Sequence, residues 1–529
     1  MSLLLQLPAE LVHHVGGNML ATTCHQTLCM LSQSCTLMQT NLCDRIVQAN
    51  EIRLLQAWKT DWQNALKHMS ANQMVILETY MHMKSIDFPS EGSLLDACVE
   101  VGNIDVMKYI VMARKVYETS GGISRLFLTT CHFGCLAMAQ WLASQFKFAI
   151  PPQNRRDNYA LRLSCSKGHL HVAQWLTQHF LLTAEDAWGS LLESCKRGQL
   201  HVAQWLIQHF GLTAEDARAS SNFALSVSCE NGHLDVAQWL TSHFGLTAKD
   251  ARANRLHALK RSCACGHLHV AQWLTEKFGL TTTDARADEN CALRLSSSNG
   301  HLNVVQWLTA HFGLTTEDAR TNGNYALRHS CVSGHLHVAQ WLTTHFGLTV
   351  EDARANHNYA FCESCKYGHL NVVKWLTEYF KLTTEDARAD VNCAFQNSCE
   401  NGHLNVAKWL TEYFKLTEEE DAQTIATYAF QNSCRYGHLH VAQWLTEHFG
   451  LTAEDARTDE NYALHWSCTK GYLLVAQWIT RRFELTLEDL EEHGGNAEAL
   501  YDDVLYYGAI HGQLDGLEWF KEHFGFGGR

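Results

Sequence analysis

Gly168-His169-Leu170-His171-Val172-Ala173-Gln174-Trp175-Leu176-Thr177-Gln178-His179-Phe180 is the stretch from which the fold is read. Val172, Trp175, Leu176 and Phe180 fall at i, i+3, i+4 and i+8, one stripe of an amphipathic helix. Nearly the same words recur along the chain, and their tryptophan serves as a ruler. It stands at Trp141, Trp175, Trp205, Trp239, Trp273, Trp307, Trp341, Trp375, Trp409, Trp444, Trp478 and Trp519. Neighbours are 34 residues apart, except for 30 before Trp205, 35 before Trp444 and 41 before Trp519. Tyr109, in Gly102-Asn103-Ile104-Asp105-Val106-Met107-Lys108-Tyr109, reads as a worn earlier copy. A period in the thirties implies a solenoid, in which each unit seals its apolar face against the next. The expected fold is all-α, about thirteen helix pairs laid side by side.

Outward from the tryptophan helix, glycine follows the phenylalanine at Gly211, Gly245, Gly279, Gly313, Gly347 and Gly450. That is a helix stop, where glycine accepts the left-handed conformation. Before the Gly-His turn lies a first helix, such as Tyr159-Ala160-Leu161-Arg162-Leu163-Ser164-Cys165-Ser166-Lys167. Its small Ser-Cys pair lets the two helices approach. Asn158 is placed to cap it, and Asn222, Asn290, Asn324, Asn358, Asn392 and Asn461 are expected to do the same. Units are joined by Leu-Thr-x-Glu-Asp-Ala-Arg. Thr315 with Asp318, and Thr452 with Asp455, fit a capping box and predict a short helical turn. The 30- and 35-residue spacings both arise in this connector, the expected tolerant part.

The totals bound the function. Four prolines in 529 residues leave long stretches free to be helical. A formal charge of -14 argues against bulk attraction to nucleic acid or acidic membranes. No apolar run approaches the roughly 18 residues that span a bilayer. The opening Leu3-Leu4-Leu5 lacks the basic flank of a signal peptide. A soluble cytoplasmic protein, not secreted, is the expectation, in a host cytoplasm or nucleus if the source is viral. Cys165, Cys195, Cys229, Cys263, Cys331, Cys365, Cys399, Cys434 and Cys468 occupy one slot in successive repeats. Equivalent atoms of stacked helices sit about 8–10 Å apart, beyond the ~7 Å Cα separation of a disulfide. These are expected to be buried, reduced thiols.

Ala-Leu-x-x-Ser-Cys-x-x-Gly-His-Leu-x-Val-Ala-x-Trp-Leu resembles the ankyrin repeat. Leu161 falls on that family's Leu, Ser164-Cys165 on its Ala-Ala, and Gly168-His169-Leu170 on its turn. The resemblance spans roughly 94–524. It departs in lacking the family's β-hairpin, so an ankyrin-like solenoid without regular hairpins is expected. The wording of the repeat is similar to ankyrin proteins of giant DNA viruses and protists. Residues 485–529, with Gly494-Gly495 and the longer interval to Trp519, read as a C-terminal capping repeat after a solenoid of residues 94–484. Residues 46–93 read as a helical connector or a degenerate repeat. Leu7-Pro8-Ala9-Glu10-Leu11-Val12, followed by Leu28-Cys29-Met30-Leu31-Ser32-Gln33-Ser34-Cys35, resembles an F-box. That resemblance implies docking of a Skp1-like adaptor of cullin-based ubiquitin ligases through Leu7, Pro8, Glu10 and Leu11. The competing reading of residues 1–45 is a helical cap on the solenoid.

Comparing repeats within the chain separates scaffold from surface. Leu, Ser, Cys, Gly, His and Trp stay fixed. Two pairs on the first helix vary, four residues apart and therefore on one face. The resemblance implies that this face lines a concave groove that binds a partner protein. Arg162, Lys167, Lys196, Arg197, Arg261, Arg328, Lys366, Tyr367, Arg435, Tyr436, Trp466 and Lys470 are its candidate contacts. Across ten central units the varying positions carry eleven basic and four acidic residues, which points to an acidic partner. Tyr367, Tyr436 and Trp466 would be aromatic anchors.

Other chemistry is not supported. His169 with His171, His267 with His269, His335 with His337 and His438 with His440 are i, i+2 pairs, expected not to face each other on a helix. No metal, cofactor or catalytic motif is legible. The repeated Glu-Asp pairs read as caps and solvated surface, because copies in many connectors cannot all be one active site. The expectation is a non-enzymatic interaction adaptor. Its rivals are a plain repeat scaffold with no ubiquitin link, and a nucleic-acid binder using the basic groove.

Overall fold

The computed structural model describes residues 61–83, 90–116, 121–146, 158–418, 421–492, 501–507 and 514–525. Contacts divide the chain into two units, residues 1–246 and 247–529. Every regular element among the described residues is a helix. Each unit is an all-α, ankyrin-like stack of helix pairs. Tyr159–Ser166 pairs with Leu170–Phe180 in one unit, and Thr321–Val332 with Leu336–Phe346 in the other. Successive first helices pack side by side, Tyr159–Ser166 on Ala184–Lys196, and Ala287–Ser298 on Thr321–Val332 on Ala355–Lys366. Helices Ala71–Met83, Glu91–Val101 and Ile104–Ala113 lie before the clear repeats. There, Asn103 takes the turn-histidine's slot, and its Nδ2 donates to the carbonyls of Leu66 and Met69, both at 2.7 Å.

The core is narrow and repeated. Leu327, Cys331, Val338, Ala339 and Leu342 are fully buried. A leucine so placed contributes about 1.5–3 kcal/mol. Ser330 is buried beside them because its Oγ donates to the Leu327 carbonyl at 2.8 Å. The tryptophan is less central than the helical stripe predicts. Val172, Ala173, Leu176 and Thr177 are the buried members of Leu170–Phe180, whereas Trp175 is half-buried. Indole is too large to fit wholly between two rods. It lies flat against the ring four residues on, as in Trp341 with His345 at 4.5 Å and 10°.

Two glycines of one repeat do different work. Gly313 has φ 61° and ends Leu302–Phe312, its N–H bonding the Thr309 carbonyl, with open space where a Cβ would sit. Gly300 has φ 81°, and a Cβ there would come within 2.6 Å of the His335 ring of the next repeat. The stop expected at Gly211, Gly245, Gly279, Gly313, Gly347 and Gly450 is present at each. Leu181, Lys381, Lys415 and Glu484 adopt the same left-handed geometry without being glycine.

The connector turn is a capping box at Thr315/Asp318 and Thr452/Asp455, as its spacing predicts. The residues leading from that turn into the first helix depart from expectation. Asn322-Gly323-Asn324 all have positive φ, and so do Asp288-Glu289-Asn290, Asn356-His357-Asn358 and Asp459-Glu460-Asn461. Each is one left-handed turn inserted before the first helix. Asn158 does cap its helix, its side chain accepting from the Leu161 N–H at 3.1 Å. Asn222, Asn290, Asn324, Asn358, Asn392 and Asn461 are not caps of that kind but buried left-handed residues. Several of them donate onward: Asn290 Nδ2 reaches Asp318 Oδ1 at 3.1 Å, and Asn358 Nδ2 reaches the Asp386 carbonyl at 3.2 Å. Asparagine suits the position because it tolerates αL better than other chiral residues and brings a donor.

Candidate partner-binding face

Three sets of bonds hold successive first helices in register, and they decide which side chains remain for a partner. The first is a ladder of ion pairs. Arg286, Arg320 and Arg354 each clamp the capping aspartate 32 residues on, with Arg320 Nε and Nη2 at 2.8 and 2.9 Å from the two Asp352 oxygens. Arg252–Asp284 is alike, and Arg388–Asp421 and Arg457–Asp489 are single contacts. Burial alone would raise the Asp352 carboxyl. The Arg320 guanidinium and the Thr349 N–H outweigh it and hold the group below the ordinary aspartate value. Reading the Glu-Asp-Ala-Arg connector as caps and solvated surface overlooked its arginine. The available signal was an Arg standing 32 residues before an Asp, repeat after repeat.

The second set is the turn histidine. His169 Nε2 lies 3.0 Å from the His132 carbonyl, and His233 Nε2 lies 3.0 Å from that of Lys196. A carbonyl only accepts, so Nε2 carries the proton. The following histidine takes a different carbonyl, His171 that of Gly134 and His337 that of Gly300. The i, i+2 rings are nevertheless close, with centroids 6.2 Å apart in His169/His171 and His335/His337. The first of each pair is the helix N-cap, at φ -83° and ψ 69° for His169, so helical spacing does not govern it. Among the described residues no three His, Cys, Asp or Glu gather to hold a metal ion.

The third set takes up cations that the sequence assigned to the groove. Arg328 is buried, with Nε on the Gly323 carbonyl and Nη2 on that of Asn322 at 3.0 Å. Its guanidinium also lies 5.0 Å from the Tyr359 ring of the next repeat. Arg328 is therefore a staple across the left-handed turn, whose carbonyls need donors, and not an open contact. Arg294 does the same for Glu289 and Asp288. Lys260 is paired with Asp288 at 2.9 Å, Arg197 with Glu193 at 3.2 Å and Lys366 with Glu363 at 3.6 Å. Five of the eleven cations are thus engaged within the stack.

What remains on the face is specific. In the first unit Lys167 and Lys196 are exposed, and Arg162 lies 5.1 Å over Tyr159. In the second unit Arg261 is half-buried, Tyr367 is 52% exposed and Tyr436 is 41% exposed. Arg435 sits 4.5 Å over Trp466 and 5.5 Å over Tyr436, and it donates to the Tyr462 hydroxyl. Lys470 lies 5.5 Å over the same Trp466. Two cations on one indole, with tyrosines on either side, make a rigid amphipathic patch. Of the sequence candidates, the structure brings together Arg435, Tyr436, Trp466 and Lys470, and adds Tyr462. Leu7, Pro8, Glu10 and Leu11 lie outside the described residues.

Residues 191–284, 256–353 and 293–386 match the family model described as ankyrin repeats (3 copies). These segments are ankyrin repeats. No curated protein matches the chain. Ankyrin repeats generally serve as protein-interaction scaffolds. The ankyrin repeats here spend their constant residues on the stack and vary at the first-helix face.

Proposed function

We propose that this chain is a non-enzymatic adaptor that binds a protein along the varying face of its first helices, with the cluster of Arg435, Tyr436, Tyr462, Trp466 and Lys470 as its anchor. The supporting observation is that cluster. It combines the aromatic and arginine types that dominate interface energetics, and its cations face a ring instead of a carboxylate. The partner segment is acidic, because Arg435 and Lys470 would otherwise gain little from contact. Affinity purification with the full chain and mass spectrometry identifies the partner. Alanine at Lys366, Tyr367, Arg435 and Tyr436 together then weakens binding by tenfold or more, roughly the hot-spot scale. Unchanged affinity in the folded variant would remove this face from consideration. Affinity falling steeply with salt on a nucleic acid would instead favour a nucleic-acid binder.

The amino-terminal resemblance adds a narrower reading, in which residues 1–45 hold a Skp1-like adaptor and the repeats hold a target for ubiquitin transfer. Its support is Leu7, Pro8, Glu10 and Leu11 in sequence. A Skp1 pulldown with and without residues 1–45 tests it, and equal recovery from both leaves a plain repeat scaffold.

A further inference from the structure

Most described cysteines are buried one to a repeat. Cys165, Cys195, Cys263 and Cys331 are pushed up to about 12 by burial, which leaves them inert thiols. Two others differ in position. Cys362 stands on Ala355–Lys366 at the slot held by Arg294 and Arg328 in the two repeats before it. Cys393 stands on Thr384–Glu400 at the slot held by Tyr325 and Tyr359. Those slots touch across the repeat boundary. Arg294 lies 4.8 Å over Tyr325 and Arg328 5.0 Å over Tyr359, each pair 31 residues apart, as Cys362 and Cys393 are. Here short side chains replace long ones at the same contact, and the two thiols are near enough for each to shift the other's titration. Cys393 is half-buried and also accepts from Asn397 Nδ2 at 3.0 Å, while Cys362 is buried.

We infer that Cys362 and Cys393 form an oxidation site, at which a hydroperoxide converts the cross-repeat thiol pair into a disulfide. The two sulfurs have different roles. Cys393 is half-buried and Cys362 buried, so Cys393 is the thiol that a peroxide reaches and the attacking thiolate; the neighbouring Cys362, opposed by burial, holds its thiol below the ordinary cysteine value. Its sulfur attacks one peroxide oxygen. The S–O bond forms, the O–O bond breaks, and the departing hydroxide or alkoxide takes a proton. The sulfur of Cys362 then attacks the sulfenic sulfur of Cys393. The S–S bond forms, the S–O bond breaks, and the hydroxide leaves as water with the Cys362 proton. Two thiols lose two electrons and the peroxide gains them. The resulting bond would tie neighbouring first helices beside Lys366 and Tyr367, within the proposed partner face.

The test uses the full chain with hydrogen peroxide. After oxidation, free thiols are alkylated and the protein is digested with trypsin, which releases residues 355–366 and 389–408. The expected result is a linked pair of these peptides. Fragmentation places the bond at Cys362 and Cys393, and dithiothreitol removes it. The Cys393→Ser variant loses the linked peptide altogether. The Cys362→Ser variant leaves Cys393 as a sulfenic acid that dimedone traps. A bond inside residues 355–366, a bond through Cys365 or Cys399, or Cys393 oxidised to sulfinic acid with no linked peptide would overturn the inference.

Discussion

In the connector of residues 315–324 the chain interrupts its helix; after the longer connector that leads to Trp444, in residues 422–435, it does not. The first caps a short turn with Thr315 and Asp318, passes through left-handed Asn322, Gly323 and Asn324, and then starts its first helix. The second has one more residue, and Ala422–Arg435 runs without a break. Ala184–Lys196, whose repeat is four residues shorter, also runs straight. Lengthening and shortening therefore have the same effect. Among the described residues the left-handed turn belongs to one connector length, and at Asp288-Glu289-Asn290 and Asn322-Gly323-Asn324 an onward asparagine donor and an arginine staple share its strain. Such a turn costs roughly 1–2 kcal/mol per chiral residue before those offsets. The straight connectors share a second trait. Where others have the ladder arginine, they carry Trp188 and Gln423. Gln423 still reaches Asp455, at 3.0 Å, but with an uncharged amide.

The carboxylates of the two connectors should differ most in what they contribute. Asp352→Ala removes the acceptor of both Arg320 and the Thr349 N–H and is expected to cost about 2–4 kcal/mol. Asp421→Ala, in the straight connector, loses one half-exposed contact with Arg388 and should cost under about 1 kcal/mol. Urea unfolding of the two variants measures the gap, and equal losses would show that the ladder is not what holds the interrupted connector. The Gly-His turn gives the next effect. Gly300→Ala combines a left-handed φ with a clash on His335 and should cost about 2–3 kcal/mol, against about 1 kcal/mol for Gly313→Ala, which meets open space.

Acid separates turn from connector. Burial lowers the His335, His403 and His438 rings below the ordinary histidine value. The unfolded chain then takes up protons first, so their contribution is complete above the ordinary value and shrinks as pH falls through it. Asp318, Asp352 and Asp386 are also lowered, but in the carboxylate range, so the ladder survives that first loss and fails only as pH falls through the ordinary aspartate value. Thermal melts should therefore show two acid steps. His335→Gln with His403→Gln should flatten the first, since Gln199 already occupies this slot against Gly168. A single step near the aspartate range would refute the histidine assignment. The smallest effect is expected from Gln423→Arg, which completes the ladder to Asp455. A gain of about a few tenths of a kcal/mol, lost in the background of Asp455→Ala, is the signature of a partly exposed pair.

Much of this was legible in the sequence. Helix pairs, glycine stops and Thr-Asp caps obey local rules, because their partners lie within a few residues. The register contacts were harder. The same Asn that caps at position 158 is left-handed at 324, and only the geometry of the next repeat distinguishes the two. Charge counting failed at Arg328 for a related reason. A cation on a varying helix face reads as surface, until carbonyls freed by an unusual turn five residues back claim it. The aromatic end of the face was found because Tyr436 and Trp466 interrupt an otherwise polar pattern. Tyr462 was missed because tyrosine is common at its slot.

The ladder is directional: each repeat reaches forward with its guanidinium and offers its carboxylate backward. A block of 34 residues consequently carries its own plug and its own socket. Copying such a block in frame, or removing one, leaves every remaining joint matched, so the chain can change length by whole repeats without redesign. At Trp188 and Gln423, where the plug has been replaced, the spacing has slipped as well, to 30 and 35.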